Sequence, residues 1–188
     1  MRGRVFTVRE AVSAGIPRHA IYALWHRDQL VHVGHGLFAM PRLDLGQHET
    51  LAEAAKRVPN GVICLLSALA FHGLTTQSPQ DVWMAIPEKA WKPRTDSLPL
   101  HVVRFSGPAY REGVEEHRVG RMPIRVYSPA KTVADCFKYR NKFGLEVALE
   151  ALRDYWRQRR GSLDELVRYA EVCRVANVMR PYLEALVQ

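Results

Sequence analysis

Four side chains in one short stretch carry the chemistry of base and phosphate recognition. Arg18, His19, Tyr22 and His26 lie within PRHAIYALWHRD, and a 3.6-residue period brings them to one side of a helix. An arginine guanidinium forks onto guanine O6 and N7, worth about 1–3 kcal/mol of discrimination per good pair. The first turn of a recognition helix is where such contacts fall. The other side carries Ala20, Ile21, Leu24 and Trp25, an apolar stripe that would dock the helix. Pro17 suits the first helical position. Arg27 extends the cationic surface, and Arg2, Arg4 and Arg9 precede it. An ordinary amphipathic surface helix has the same two faces, so the neighbouring elements must decide.

Those neighbours have a definite order. Thr7-Val8-Arg9-Glu10 fits a capping box at the start of a short helix. Gly15 supplies the left-handed residue that ends it after Ala14. Behind the second helix, Leu30–Val33 and Leu37–Met40 are β-type runs separated by Gly34-His35-Gly36, a hairpin signal. Helix, tight turn, helix and hairpin make a winged helix-turn-helix over residues 1–43. His32 and His35 sit on the wing with Arg42 behind. Neutral imidazole donates weakly to phosphate, and protonation below about pH 6.5 adds charge. A polar turn reads equally well. Only six residues precede Thr7, so the usual preceding helix is expected to be truncated, and the head to borrow packing from elsewhere.

Composition narrows the function classes. The 188 residues carry a net +8, with 47% hydrophobic residues, which excludes a mainly disordered chain and favours a polyanionic partner. The excess is local. Residues 1–43 hold six arginines against Glu10 and Asp28, residues 131–160 hold eight cations against four acids, and the remainder is neutral. The longest apolar run, Gly61–Phe71, is about half a membrane span. No signal-peptide pattern opens the chain, so a cytoplasmic protein without a membrane partner is expected. Cys64, Cys136 and Cys173 form no CxxC pair and read as buried thiols. The histidines form no HxxxH. No metal, cofactor or catalytic residue is expected.

Residues 44–60 read as a connector with a helix over 48–58. The remaining stretch, 61–188, reads as a mixed unit: a helix over 62–72, strands over 81–86, 100–105 and 124–127, then helices from Pro129 to the end. The fold class is α/β (α+β), a winged helix-turn-helix followed by a small β-sheet and C-terminal helices. Leu145, Leu149, Leu152 and Trp156 form the expected buried stripe of one helix. His72, at the end of an apolar helix, reads as a packed residue favoured by the helix dipole. The second basic patch comprises Lys131, Lys138, Arg140, Lys142, Arg153 and Arg157, with helix C-termini accounting for part of it. Lys131/Asp135 and Glu150/Asp154 invite a nuclease reading, but no D…(D/E)xK pattern is present.

Three blocks are similar to a known family. VREAVSAGIPRHAIYALWHRDQLVHVGHGLFAMP, GVICLLSALAFHGLT with VWMAIP, and above all VYSPAKTVADCFKYRNKFGLEVALEAL resemble AbiEi-type antitoxins of bacterial type IV toxin–antitoxin (abortive infection) systems. The resemblance runs from about Thr7 to Leu186. It implies binding to inverted repeats in the protein's own promoter, repression of a bicistronic operon, and neutralisation of a nucleotidyltransferase-like toxin, with or without a stable complex. By position it implies Arg18, His19, Tyr22 and His26 as the recognition face, His32–Gly36 as the wing, and the second basic patch as the antitoxic or partner surface. Two alternatives are a nuclease or hydrolase targeted by a winged helix, and a stand-alone transcriptional regulator whose C-terminal part binds a small ligand.

Overall fold

The computed structural model describes residues 5–27, 30–34, 36–39, 49–91, 93, 98–120 and 122–186. The head is built from β1 (Phe6–Thr7), α1 (Val8–Ser13), α2 (Arg18–His26), β2 (Val31–Gly34) and β3 (Leu37–Ala39). β3 is the central strand, antiparallel to β1 and to β2. This is a winged helix-turn-helix in which β1 closes a three-stranded sheet. The sequence pattern alone gives no sign of β1, because two residues are too few for an alternation. Phe6, Ala11, Ile21, Leu30 and Phe38 form the head's own buried cluster.

The body follows: α3 (Glu49–Arg57), β4 (Val62–Ile63), α4 (Leu65–His72), β5 (Val82–Pro87), β6 (Leu100–Phe105), α5 (Gly107–Arg111), β7 (Val114–Val119), β8 (Met122–Tyr127), α6 (Pro129–Lys138), α7 (Arg140–Phe143), α8 (Leu145–Arg157), α9 (Leu163–Val172) and α10 (Ala176–Leu186). Its mixed sheet runs β6-β5-β4-β8-β7. β5/β6 and β4/β8 are parallel; β4/β5 and β7/β8 are antiparallel. α4, α6, α8, α9 and α10 share one large core with one side of this sheet. α3 lies against the sheet with the second core, where Leu51, Ala52 and Ala54 meet Met84, Ile124 and Val126. Cys64, Cys136 and Cys173 are free and buried.

Three expectations are corrected here. The helix expected from Val62 starts at Leu65. Val62 and Ile63 are instead a strand, with Ile63 paired to Met84 and Val126. A short apolar run reads the same for buried helix and buried strand, and β-branched residues favour the strand. β7 was not expected: Val-Glu-Glu-His-Arg-Val is a polar edge strand whose charges discourage further pairing. In α8 the buried residues are Val147, Ala148, Ala151, Leu152 and Tyr155. Trp156 is 38% exposed. Of the expected stripe Leu152 is buried and Leu145 and Leu149 lie half-buried against the core; the small Ala148 and Ala151 let α8 approach α6, and Trp156 is left outside.

Head and body are joined by packing. Val5 and Leu37 from the head are buried in the same cluster as Leu51, Val58 and Ile63. Lys56 of α3 bonds the Glu10 carboxylate at the start of α1. The Glu53–Arg57 pair, 2.8 Å apart, fits against Gly34 at the root of the wing. A Cβ there would stand 1.7 Å from Arg57 Nη2 and 1.9 Å from Glu53 Oε1. The helix expected within 44–60 thus forms part of the body's core and holds the wing.

Candidate nucleic-acid interface

Local sequence sets the angle between the two head helices. Glu10 N–H donates to Thr7 Oγ1 at 3.1 Å, and Thr7 N–H donates to Glu10 Oε2 at 2.7 Å, so the capping box is formed. At the far end Gly15 takes φ +86°. Gly15 N–H bonds Val12 O at 3.0 Å and Ile16 N–H bonds Ala11 O at 2.9 Å, a Schellman turn that needs a left-handed residue at Gly15. Pro17 then stands at the N-cap, with Arg18 the first helical residue. The helix thus starts one position later than expected. Its ring sets the entry without donating a cap bond.

This arrangement presents Arg18, His19, Tyr22, His26 and Arg27 on the surface, together with Arg9 and Pro17. Arg9 and Arg18 line one open concavity with Thr7, Ser13 and the wing's Gly36. Val8 N–H donates to Gly36 O at 3.2 Å, which keeps the wing beside the start of α1. Two guanidiniums, a helix start and a wing therefore share one surface. Arg2, Arg4 and His35 lie outside the described residues.

Trp25 departs from expectation. Read as part of the docking stripe, it is 36% exposed. Its ring lies 4.8 Å from that of His26 and 5.3 Å from that of His32. Tyr22 sets its edge on Phe38 at 5.7 Å. Ile21 alone of α2 is fully buried. The exposed stripe is thus Arg18, Tyr22, Trp25 and His26, with His32 of the wing alongside. The spacing of Trp25 at i+3 from Tyr22 and i+7 from Arg18 was the available signal for it.

The second basic patch is divided by the structure. Lys131 is not a surface residue: its side chain is 0% exposed. Nζ donates to Asp135 Oδ1 and Oδ2 at 2.7 and 2.6 Å, and it lies 4.2 Å from the Tyr127 ring centroid and 4.9 Å from that of Phe105. Cys173 Sγ donates to Asp135 Oδ1 at 3.1 Å. Burial pushes the Asp135 carboxyl up, against the pull of Lys131. Two buried charges cost several kcal/mol each to desolvate, and this pair persists because each satisfies the other. The remaining five stay accessible. Lys138, Lys142, Arg153 and Arg157 are exposed, and Arg140 is half-buried. Arg140 donates to Phe137 O at 2.9 Å, and Arg157 pairs with Asp154 at 2.8 Å.

The carboxylates weighed for a nuclease do not converge. Asp135 serves Lys131, Glu150 accepts from Thr76 N–H and Oγ1 at 2.8 and 2.9 Å, and Asp154 holds Arg157. His72 is buried with Nε2 2.7 Å from Tyr127 O. Burial lowers its pKa below the ordinary value. Among the described residues no helix is long and apolar enough to cross a membrane.

The head therefore has the architecture of a winged helix-turn-helix. Residues 1–41 match the model of the family described as "Transcriptional regulator, AbiEi antitoxin", the family that the sequence blocks resemble. A comparison with curated proteins finds no match. Among solved structures, the RV2827C protein from Mycobacterium tuberculosis is similar in fold, with a TM-score of 0.57 at 16% identity over 89% of this chain. The chain spans 66% of that protein's length.

Proposed function

We propose that the protein is an antitoxin that represses its own operon by binding inverted repeats in promoter DNA and neutralises a nucleotidyltransferase-like toxin. It is a cytoplasmic binder with no chemistry of its own. The observation that carries this reading is a coincidence: the segment matched by the AbiEi antitoxin regulator family is the segment in which Arg9, Arg18 and the wing share one exposed surface. Arg18 reads a base edge, Arg9 and Arg27 neutralise phosphates, and Tyr22 and Trp25 supply apolar contact to sugar or a thymine methyl group. Antitoxicity resides in the body, whose accessible cations Lys142, Arg153 and Arg157 suit an acidic partner face.

A gel-shift titration on the upstream DNA tests the first half. The wild type forms a sequence-specific complex, and Arg18→Ala and Tyr22→Ala each weaken it by roughly tenfold or more. Specific affinity that stays within about twofold for both variants would refute the recognition-helix assignment. The second half is read in cells. Co-expression of the chain with the toxin encoded beside it restores growth, and Arg153→Glu/Arg157→Glu weakens that rescue without changing the gel shift.

A further inference from the structure

A cleft of about 530 Å³ opens in the body where the end of β6, α5, the end of α6 and the α9–α10 joint meet. It lies on neither the recognition helix nor the wing. Arg104, Lys138 and Arg174 stand around it, Tyr139 forms part of its wall, and Asp135 and Cys173 line it beneath. We propose that this cleft binds a nucleoside phosphate, with the phosphate held by Lys138 and Arg174 and the base set against Tyr139.

The charge balance favours an anion. Of the acids lining the cleft, Asp135 has both oxygens taken by Lys131, and Glu112 is paired with Arg168 at 2.9 Å. Glu171 is left as the acid without an ion pair among the described residues. Against it, Lys138 and Arg174 are exposed and make no described side-chain bond. Arg104 is engaged elsewhere: its Nε and Nη2 donate to Glu88 O and Ala90 O, each at 3.0 Å, and it shares its face of β6 with Leu100 and Val102 of the second core. A lysine and an arginine with no described acidic partner are donors of the kind that phosphate recognition employs.

Two helix C-termini, of α6 and α9, reach the cleft, and part of their negative partial charge is met within the chain. At the end of α9, Val175 N–H bonds Ala170 O at 2.8 Å and Arg174 N–H bonds Glu171 O at 2.9 Å. At α6 the Phe137 carbonyl accepts from Arg140. Size fits as well, since cavities of roughly 300–1,000 Å³ suit small organic ligands. Tyr139 and Phe105 contribute neighbouring rings, 5.8 Å apart.

Arg174 offers a clean probe. It takes φ +59° at the position of this turn where glycine is the usual residue. Arg159 ends α8 in the same conformation, so the backbone alone says nothing about ligands; the place of Arg174 on the cleft does. Arg174→Gly relieves the backbone while deleting the cation.

The test is isothermal titration of the full chain with AMP, GMP, adenosine and inorganic phosphate. AMP or GMP binds, and adenosine and inorganic phosphate bind at least about tenfold more weakly. Lys138→Ala and Arg174→Gly each weaken the nucleotide by roughly tenfold, with melting temperature unchanged or, for Arg174→Gly, raised. Arg18→Ala leaves nucleotide binding unchanged. The proposal is overturned if neither nucleotide binds at about 1 mM, if inorganic phosphate binds as well as AMP, or if binding responds to Arg18→Ala and ignores both cleft variants.

Discussion

Head and body are held together in different ways, and the difference bears on what each can do. Among the described residues the head's own buried cluster is Phe6, Ala11, Ile21, Leu30 and Phe38, with Val8, Ile16 and Leu24 half-buried against it. Further support comes from the body, through Val5 and Leu37 in the body's second core and through Lys56, Glu53 and Arg57 of α3. The body has helices against both sides of a five-stranded sheet. It is rigid enough to seal a Lys–Asp pair inside. A small module with charged side chains turned outward reads a polyanion at little structural cost, but its angle must be fixed by something larger. α3 does this at the root of the wing. The contrast teaches that cations of one sequence class do opposite work: Arg9, Arg18 and Arg27 of the head face solvent, while Lys131 of the body is structural.

The largest expected effect tests that contrast. Lys131→Met leaves Asp135 buried without its partner and should cost about 3–5 kcal/mol of stability, read by urea denaturation. The double variant Lys131→Met/Asp135→Leu should recover most of the loss, because apolar packing replaces the pair. If the single variant unfolds on expression, the double variant still decides: it folds if the pair is structural. A smaller effect is expected at the joint. Gly34→Ala drives a methyl group into the Glu53–Arg57 pair and should cost about 1–2 kcal/mol. Operator affinity should fall even where the chain stays folded, since the wing loses its seat. Unchanged affinity would mean that the joint does not orient the head.

The smallest effect concerns pH. Burial lowers the His72 pKa below its ordinary value of 6.5, so the unfolded chain binds this proton more readily than the fold does. The stability from neutral His72 is present above 6.5 and is lost as pH falls toward and through the lowered value. Melting temperature should decline on acidification in that window, and His72→Gln should flatten part of the decline.

Much of the head was legible in the sequence because its signals are local. Thr7 and Glu10 define a cap, Gly15 a stop, and Gly34 and Gly36 a turn. The body was legible only where periodicity is strong: α8 falls on Leu145–Arg157 as expected, yet its buried face passes through Ala148 and Ala151 rather than Trp156. What was hidden depends on contacts distant in sequence. Lys131 is enclosed by the nearby Tyr127 and by Phe105 of β6, and no linear spacing announces the ring that arrives from β6. Trp25 was hidden for the reverse reason, as a large apolar residue left beside His26 and His32 on the surface.

The central claim is that the head's exposed arginines read DNA while the body's cations do not. The salt dependence of operator binding measures this most directly, compared for the wild type, Arg9→Ala, Arg18→Ala and Arg153→Ala. Each arginine of the head that meets a phosphate should reduce the slope of log affinity against log salt by about one when removed. Arg9→Ala should do so, and Arg18→Ala should lower specific affinity by roughly tenfold. Arg153→Ala should leave slope and affinity unchanged. A slope that falls with Arg153→Ala and holds with Arg9→Ala, with specific affinity intact in Arg18→Ala, would contradict the account.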